Sequence, residues 1–251
     1  MPSRRSRSAA GGRISKTNDA IFGGRVTLAQ PARGRGYRVN ADALILADFA
    51  GNVRGTLFDL GAGTGAIALV MIARSLASRA VLVDVDAGAC ELARENVNRN
   101  GARADVVCSD VLDGARTRRG QAALVVCNPP YFEPGTARVA RGSGASRVGE
   151  VDRFVRAARE VLGRRGRACF VYPASDLSRL FACFRASGLE PKRLRLVHAK
   201  AKAPARVALV EVRASKSGGL SIMAPLIERD GPRHADYTAE MSALLGLTSS
   251  S

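Results

Sequence analysis

Asn128-Pro129-Pro130-Tyr131-Phe132 follows the apolar run Ala122-Ala123-Leu124-Val125-Val126-Cys127. The run reads as a buried strand. Two prolines directly after it cannot donate to a ladder, so they end the strand abruptly. What is left is a rigid turn at a strand's C-terminal end. It offers one side-chain amide, backbone carbonyls released from the sheet, and two aromatic rings. Such a set can hold a flat molecule that carries an amino group. A plain turn plugged with aromatic side chains accounts for the same five residues equally well, because short motifs are weak signals.

A second set stands upstream. Asp59-Leu60-Gly61-Ala62-Gly63-Thr64-Gly65 lies where a strand hands over to a helix. Glycines there let a ligand approach the backbone closely. Asp84 ends the next strand, nineteen residues after Gly65. That is near the usual distance for an acid gripping ribose hydroxyls. A dinucleotide is the obvious competitor, and three features argue against it. Asp59 precedes the glycines, where it repels a pyrophosphate but suits a cation. Asp110 ends the third strand, where it can accept from an adenine amino group. The chain then delivers the Asn128 turn after the fourth strand. The ordered set suits S-adenosylmethionine, with its zwitterionic aminoacyl end and positive sulfonium. Taken singly, Asp84 or Asp110 is as well read as a helix cap.

The elements that must position these residues alternate regularly. Thr56–Leu60, Ala80–Asp84, Ala104–Cys108 and Ala122–Cys127 read as strands. Between them, Ala66 to Leu76 reads as a nearly all-apolar helix, and Asp86 caps another through Val97. This β-α-β-α-β pattern predicts an α/β fold with a doubly wound, mostly parallel sheet. Upstream, Val26-Thr27-Leu28 can be a strand, and Asn40 or Asp42 can cap a helix through Ala47. Downstream, residues 133–148 lack periodicity and read as a long loop. Val151, Phe154, Val155, Ala158, Val161 and Leu162 then share one helical face. Strands at 168–172, 194–198 and 207–212 complete the pattern, with a helix closed by Gly188 and a short one near Met241 to Leu245. Residues 1–20 read as a disordered basic arm and 21–251 as a single domain.

Composition sets outer bounds. The net charge is +17 in 251 residues, which favours a polyanionic partner. Lys192, Arg193, Arg195, Lys200, Lys202 and Arg206 cluster in the last strands and their connector, and Arg138, Arg141 and Arg147 follow the proline turn. These are expected to contact phosphates without reading sequence, although most charge runs are simply solvated faces. The five cysteines show no metal-ligand spacing and read as buried thiols of a reducing cytoplasm. His198 and His234 read as structural or surface residues, so no metal site is expected. No apolar run approaches a membrane span.

The order of motifs resembles class I S-adenosylmethionine-dependent methyltransferases across roughly residues 37–212. Asn128-Pro129-Pro130-Tyr131 resembles the branch that methylates amino nitrogens: adenine N6, cytosine N4, guanine N2 or the glutamine amide. More narrowly, the chain is similar to the bacterial tRNA1(Val) (adenine-37 N6)-methyltransferase family. Gly36-Tyr37-Arg38 with Asp42-Ala43-Leu44, the Asn128–Phe132 turn, and Glu190-Pro191-Lys192-Arg193-Leu194-Arg195-Leu196-Val197-His198 carry this resemblance. Val210-Glu211, Pro225-Leu226 and Tyr237-Thr238 add to it. One stretch departs from the pattern: Ala145-Ser146-Arg147-Val148-Gly149-Glu150 lacks the histidine that many relatives carry there.

The resemblance implies a seven-stranded Rossmann-like sheet, S-adenosylmethionine as methyl donor and tRNA as substrate. It implies a cytoplasmic monomer with no obligate protein partner. It implies that Tyr37, Asp42 and Asn128 join Asp59, Gly61, Gly63, Gly65, Asp84 and Asp110 around the cofactor. Asn128, Pro129, Pro130 and Tyr131 would be catalytic. Asn128 and the Pro129 carbonyl would accept from the target amine, with Tyr131 stacked on the base and Phe132 against the RNA. Three other readings stay open: a glutamine methyltransferase acting on a protein, another RNA amino-group methyltransferase, and an RNA-binding module that has lost catalysis.

Overall fold

The computed structural model describes residues 15–32, 38–130, 150–215, 217–233 and 235–247. The chain opens with a hairpin of β1 (Lys16–Ile21) and β2 (Val26–Pro31), followed by α1 (Ala41–Ala50). Alternation then begins: β3 (Thr56–Leu60), α2 (Ala66–Ala73), β4 (Ala80–Asp84), α3 (Ala87–Arg99), β5 (Ala104–Cys108), α4 (Val111–Arg116) and β6 (Ala122–Cys127). It continues with α5 (Glu150–Val161), β7 (Leu162–Pro173), α6 (Leu177–Ala186), β8 (Glu190–His198) and β9 (Ala205–Arg213). Two short strands, β10 (Ser221–Ile222) and β11 (Leu226–Ile227), and α7 (Ala239–Leu245) end the described chain.

Seven long strands lie in the order β5-β4-β3-β6-β7-β9-β8. All run parallel except β9, which is antiparallel to both β7 and β8. The expected doubly wound sheet is therefore present. Its strand count is nine rather than seven, because β10 and β11 each add two residues in parallel to β8. Elements that short leave no periodic trace in a sequence.

Each strand alternates between two cores. Leu57, Leu82, Leu124, Val126 and Leu209 face α1, α2 and α3. Phe58, Leu60, Val83, Val125, Phe170 and Val210 face α4, α5 and α6. The strands are apolar on both faces because both faces are covered. Fully burying each Leu or Phe contributes roughly 1.5–3 kcal/mol, an upper figure relative to an extended chain.

One expectation about the N-terminus changes. Residues 16–20, read in the sequence as part of a basic arm, belong to a strand: Lys16–Ile21 pairs along its whole length with β2. Its side chains are mostly exposed, so no apolar alternation reveals the strand in the sequence. The hairpin is fixed to α3 by two asparagines. Asn96 and Asn100, one turn apart, each bond both the amide and the carbonyl of a β2 residue, Ala29 and Thr27 respectively. They act as a substitute edge strand. Asn40 caps α1 as expected, its side chain accepting from the Asp42 amide, which contributes about 1 kcal/mol.

The cysteines are free thiols. Cys90, Cys127 and Cys169 are buried as expected, but Cys183 is half-buried and Cys108 is exposed, the latter because it ends the sheet's edge strand. Among the described residues, no helix is long and apolar enough to cross a membrane.

Candidate active site

The strand order reverses between β3 and β6: β4 and β5 continue on one side, β7 to β8 on the other. In open α/β sheets ligands sit at such a switch point, outside the carboxyl ends of the strands. The glycine turn leaves β3 there and the Asn128 turn leaves β6 there, with Leu60 and Cys127 paired directly before them. The two sets singled out in the sequence are thus neighbours in space.

Asp59 lies beneath the turn, completely buried. Its Oδ2 accepts from the Ala68 amide at 3.3 Å, so it complements the positive N-terminal end of α2, whose Gly65 cap has no side chain. Its Oδ1 has no hydrogen-bond partner. Burial pushes the carboxyl up to about 7, against the Ala68 amide and with some help from the nearby Asp84 charge. An orphaned buried acceptor of this kind suits a cation lodged above it.

Gly65 holds φ +86°, and a Cβ there would stand 2.7 Å from Leu82. It is a packing glycine. Gly63 differs: φ is +54°, and a Cβ would meet nothing within 4 Å. Open space above a left-handed glycine is a cradle that a side chain would fill. The Gly63 amide donates to Asp84 Oδ2 at 2.7 Å, and the Asp86 amide donates to Oδ1 at 2.9 Å. Asp84 is thereby fixed at the rim of the cradle, with acceptor capacity left for hydroxyl donors. Gly61 continues the ladder instead, its amide bonding the Val83 carbonyl at 2.8 Å.

Asp110 caps α4 through the Leu112 amide at 2.9 Å. Its other oxygen takes a short hydrogen bond from Arg153 on α5. Burial works to raise its carboxyl, but the bonds from Arg153 and the backbone outweigh this and hold it below the ordinary range. It stays ionised, at the end of β5 as expected, with Arg153 tying it to the α5 layer.

Val85 was not singled out in the sequence. It stands between Asp84 and Asp86 at the carboxyl edge and is 70% exposed. It leaves an open apolar face next to Asp84.

Asn128 is partly buried, with Oδ1 out of reach of solvent; Pro129 is buried and Pro130 exposed. Tyr37, Tyr131, Phe132, Arg138, Arg141, Arg147 and His234 lie outside the described residues. His198 has the structural place expected, its Nδ1 2.7 Å from the Ala203 carbonyl. No cluster of metal-ligating side chains occurs among the described residues.

Several expected contacts have other partners. Asp42 is 1% exposed and takes both guanidinium nitrogens of Arg206, at 2.6 and 3.1 Å. Arg206 also reaches Glu228 at 2.7 Å. Asp42 is therefore a buried ion-pair residue joining α1 to β9. Arg193 packs on the Phe49 ring and pairs with Glu211 at 3.1 Å. Arg195 pairs with Glu240 at 2.7 Å and bonds the Ala224 carbonyl. Lys192 bonds the Gly218 carbonyl at 2.6 Å. Strand direction adds a further correction. β8 runs parallel to β7, so its early residues Lys192 and Arg193 lie at the sheet edge opposite the site. Only Lys200 and Lys202, exposed in the β8–β9 turn, stand at the edge of the site.

The pattern of the methyltransferase small domain family matches residues 39–178. A tRNA1(Val) (adenine(37)-N6)-methyltransferase from Vibrio vulnificus is 30% identical over 185 residues, covering 70% of this chain and 76% of that protein. A protein of the same name from Pectobacterium carotovorum is 35% identical over 104 residues, covering 40% of this chain but only 42% of its own length. Among solved structures, a predicted O-methyltransferase from Agrobacterium tumefaciens superposes with a TM-score of 0.64 at 24% identity, covering 80% of this chain and 94% of that one. TYW2 from M. jannaschii in complex with AdoMet gives a TM-score of 0.57 at 15% identity, covering 82% and 89%. These last two share the fold, and the expected Rossmann-like architecture is that of methyltransferases. With more than half of its length matched by one family pattern, including both turns of the site, the chain belongs to the methyltransferase small domain family.

Proposed function

We propose that this chain transfers a methyl group from S-adenosyl-L-methionine to the exocyclic N6 of an adenine in tRNA, with position 37 of tRNA-Val as the specific target. The observation that carries the reading is the Asn128-Pro129-Pro130 turn beside the glycine turn, on the two sides of the strand-order reversal. The residues present suit the donor. Gly63 leaves the cradle open, Asp84 waits at its rim for ribose hydroxyls, Val85 offers an apolar face and Asp59 an orphaned acceptor. When bound, this cofactor supplies an electrophilic methyl on a sulfonium.

The chain's own residues then have one task, which is positioning. An aromatic amine is a poor nucleophile because its lone pair is delocalised into the ring. The Asn128 oxygen and the Pro129 carbonyl accept from its two N–H groups and turn the lone pair toward the methyl. Orientation of that kind, and complementary dipoles, provide the acceleration without a strong base. Tyr131 stacks on the base once it has left its own stack. A cytoplasmic location goes with the tRNA substrate.

The names of the Vibrio and Pectobacterium relatives support tRNA and adenine 37. The test is incubation with methyl-labelled donor and, separately, unmodified tRNA, rRNA and a release factor. Labelled N6-methyladenosine from tRNA is the expected product. Label confined to protein would point to the glutamine reaction instead.

A further inference from the structure

The amino edge of the sheet, opposite the site, carries arginines that the fold does not use. Arg54, Arg79 and Arg103 lead into β3, β4 and β5, and Arg164 and Arg165 lie in the β7 bulge where the pairing jumps from Leu162 to Arg167. All five are exposed. None has an acidic partner among the described residues, whereas Arg74 and Arg99, at helix ends on the same edge, each have one. Their placement in a row is fixed by the backbone. The Ala80 amide bonds the Arg103 carbonyl at 3.0 Å, and the Leu57 amide bonds the Arg79 carbonyl at 3.2 Å. Adjacent strands stand about 4.8 Å apart, so the row brings successive guanidinium groups to neighbouring points.

Helix dipoles account for part of the charge on this edge. The helices run back toward it, and Arg99, Arg116, Arg159 and Arg185 occupy their last turns. That effect fades beyond the final turn. The five arginines above sit past it, Arg54, Arg79 and Arg103 in strand-leading turns and Arg164 and Arg165 in the β7 bulge. Nor do local acids neutralise them. Glu160 pairs with Arg119, Glu190 accepts from the Gly218 amide, and Glu211 holds Arg167, Arg193 and Arg213. Asp105 is the remaining open acid there.

We infer that this edge is a second RNA-contact surface, which takes the phosphate backbone of the substrate at a distance from the methylation centre. The inference rests on the RNA reading of the site. Five-residue strands span about 17 Å, a separation a folded tRNA readily bridges. Phosphate contacts of this kind hold and orient an RNA without reading its sequence. The surface therefore makes the full tRNA bind better than a short stem-loop carrying the same adenine.

The test uses the full chain with the variant R54Q/R79Q/R103Q, and R164Q/R165Q as an independent second variant. Fluorescence anisotropy measures tRNA affinity between about 50 and 200 mM salt. The triple variant is expected to bind tRNA about tenfold or more weakly, with a salt slope shallower by about two to three. Methyl transfer to the short stem-loop stays at the wild-type rate. Wild-type tRNA affinity in both variants overturns the inference. So does unchanged tRNA affinity accompanied by lost binding to phosphatidylserine vesicles, which would make a membrane the occupant. If neither RNA is methylated but the variants lose tRNA affinity, the inference stands and the methylation reading falls.

Discussion

The carboxyl edge of the sheet presents Asp84, Asp86, Asp110, a glycine cradle and the Asn128 amide, while the amino edge of the same strands presents Arg54, Arg79, Arg103, Arg164 and Arg165. One physical rule begins this division. Helix N-termini point at the carboxyl edge and favour acids, and helix C-termini point at the amino edge and favour bases. Asp86 and Asp110 follow the rule directly, as caps of α3 and α4. What exceeds the rule is informative. Asp84 caps no helix, Asp59 Oδ1 bonds nothing, and the five arginines lie beyond the last helical turns. These are the groups left available to ligands.

The comparison can be broken at several strengths. Arg206 is the interior counterpart of the edge arginines. Replacing it with Met strands Asp42 and Glu228, both buried, and is expected to cost about 3–5 kcal/mol of stability by denaturant unfolding. Asn128→Ala comes next. It is expected to fold, to bind cofactor normally by calorimetry, and to lose turnover by about a hundred- to a thousandfold; Tyr131→Ala should behave alike. Asp84→Ala removes both the ribose acceptor and the anchor of Gly63. Cofactor affinity should fall by roughly ten- to a hundredfold, about 1.4–3 kcal/mol, with little change in unfolding.

The Asp59 carboxyl gives a smaller, pH-dependent effect. Held near 7 by burial, it ionises as pH rises from about 6 to 7.5, and cofactor affinity should rise roughly five- to tenfold over that window. Asp59→Asn should flatten the rise. The sign is opposite for the free protein. A raised carboxyl binds its proton more tightly folded than unfolded, so its stability contribution is full in acid and is lost as pH passes through 7. Last, Arg79→Gln should change unfolding by less than about 0.5 kcal/mol, because its side chain bonds nothing in the fold.

Much of the positioning scaffold was legible in the sequence. The central strands are apolar runs bounded by Gly, Pro or Asp, and the acids that matter end them. Asn128 was legible because two prolines must stop a strand. Other parts were hidden for definite reasons. β1 is a polar strand whose pairing comes from β2 and whose anchor is α3, and α4 is a six-residue turn of helix containing Gly114. The roles of the basic residues were hidden most of all. Composition shows charge, but not that Arg193, Arg195 and Arg206 are already paired with Glu211, Glu240 and Asp42. Nor does it show that strand direction carries Lys192 away from the site.

The central claim is that the carboxyl edge holds an amino nitrogen of adenine to a sulfonium methyl. Mass analysis of nucleosides from unmodified tRNA, incubated with donor and either wild type or Asn128→Ala, tests it most directly. The account predicts N6-methyladenosine from the wild type and almost none from the variant. Equal N6-methyladenosine from both, or a methylated nucleoside other than adenosine, would contradict it.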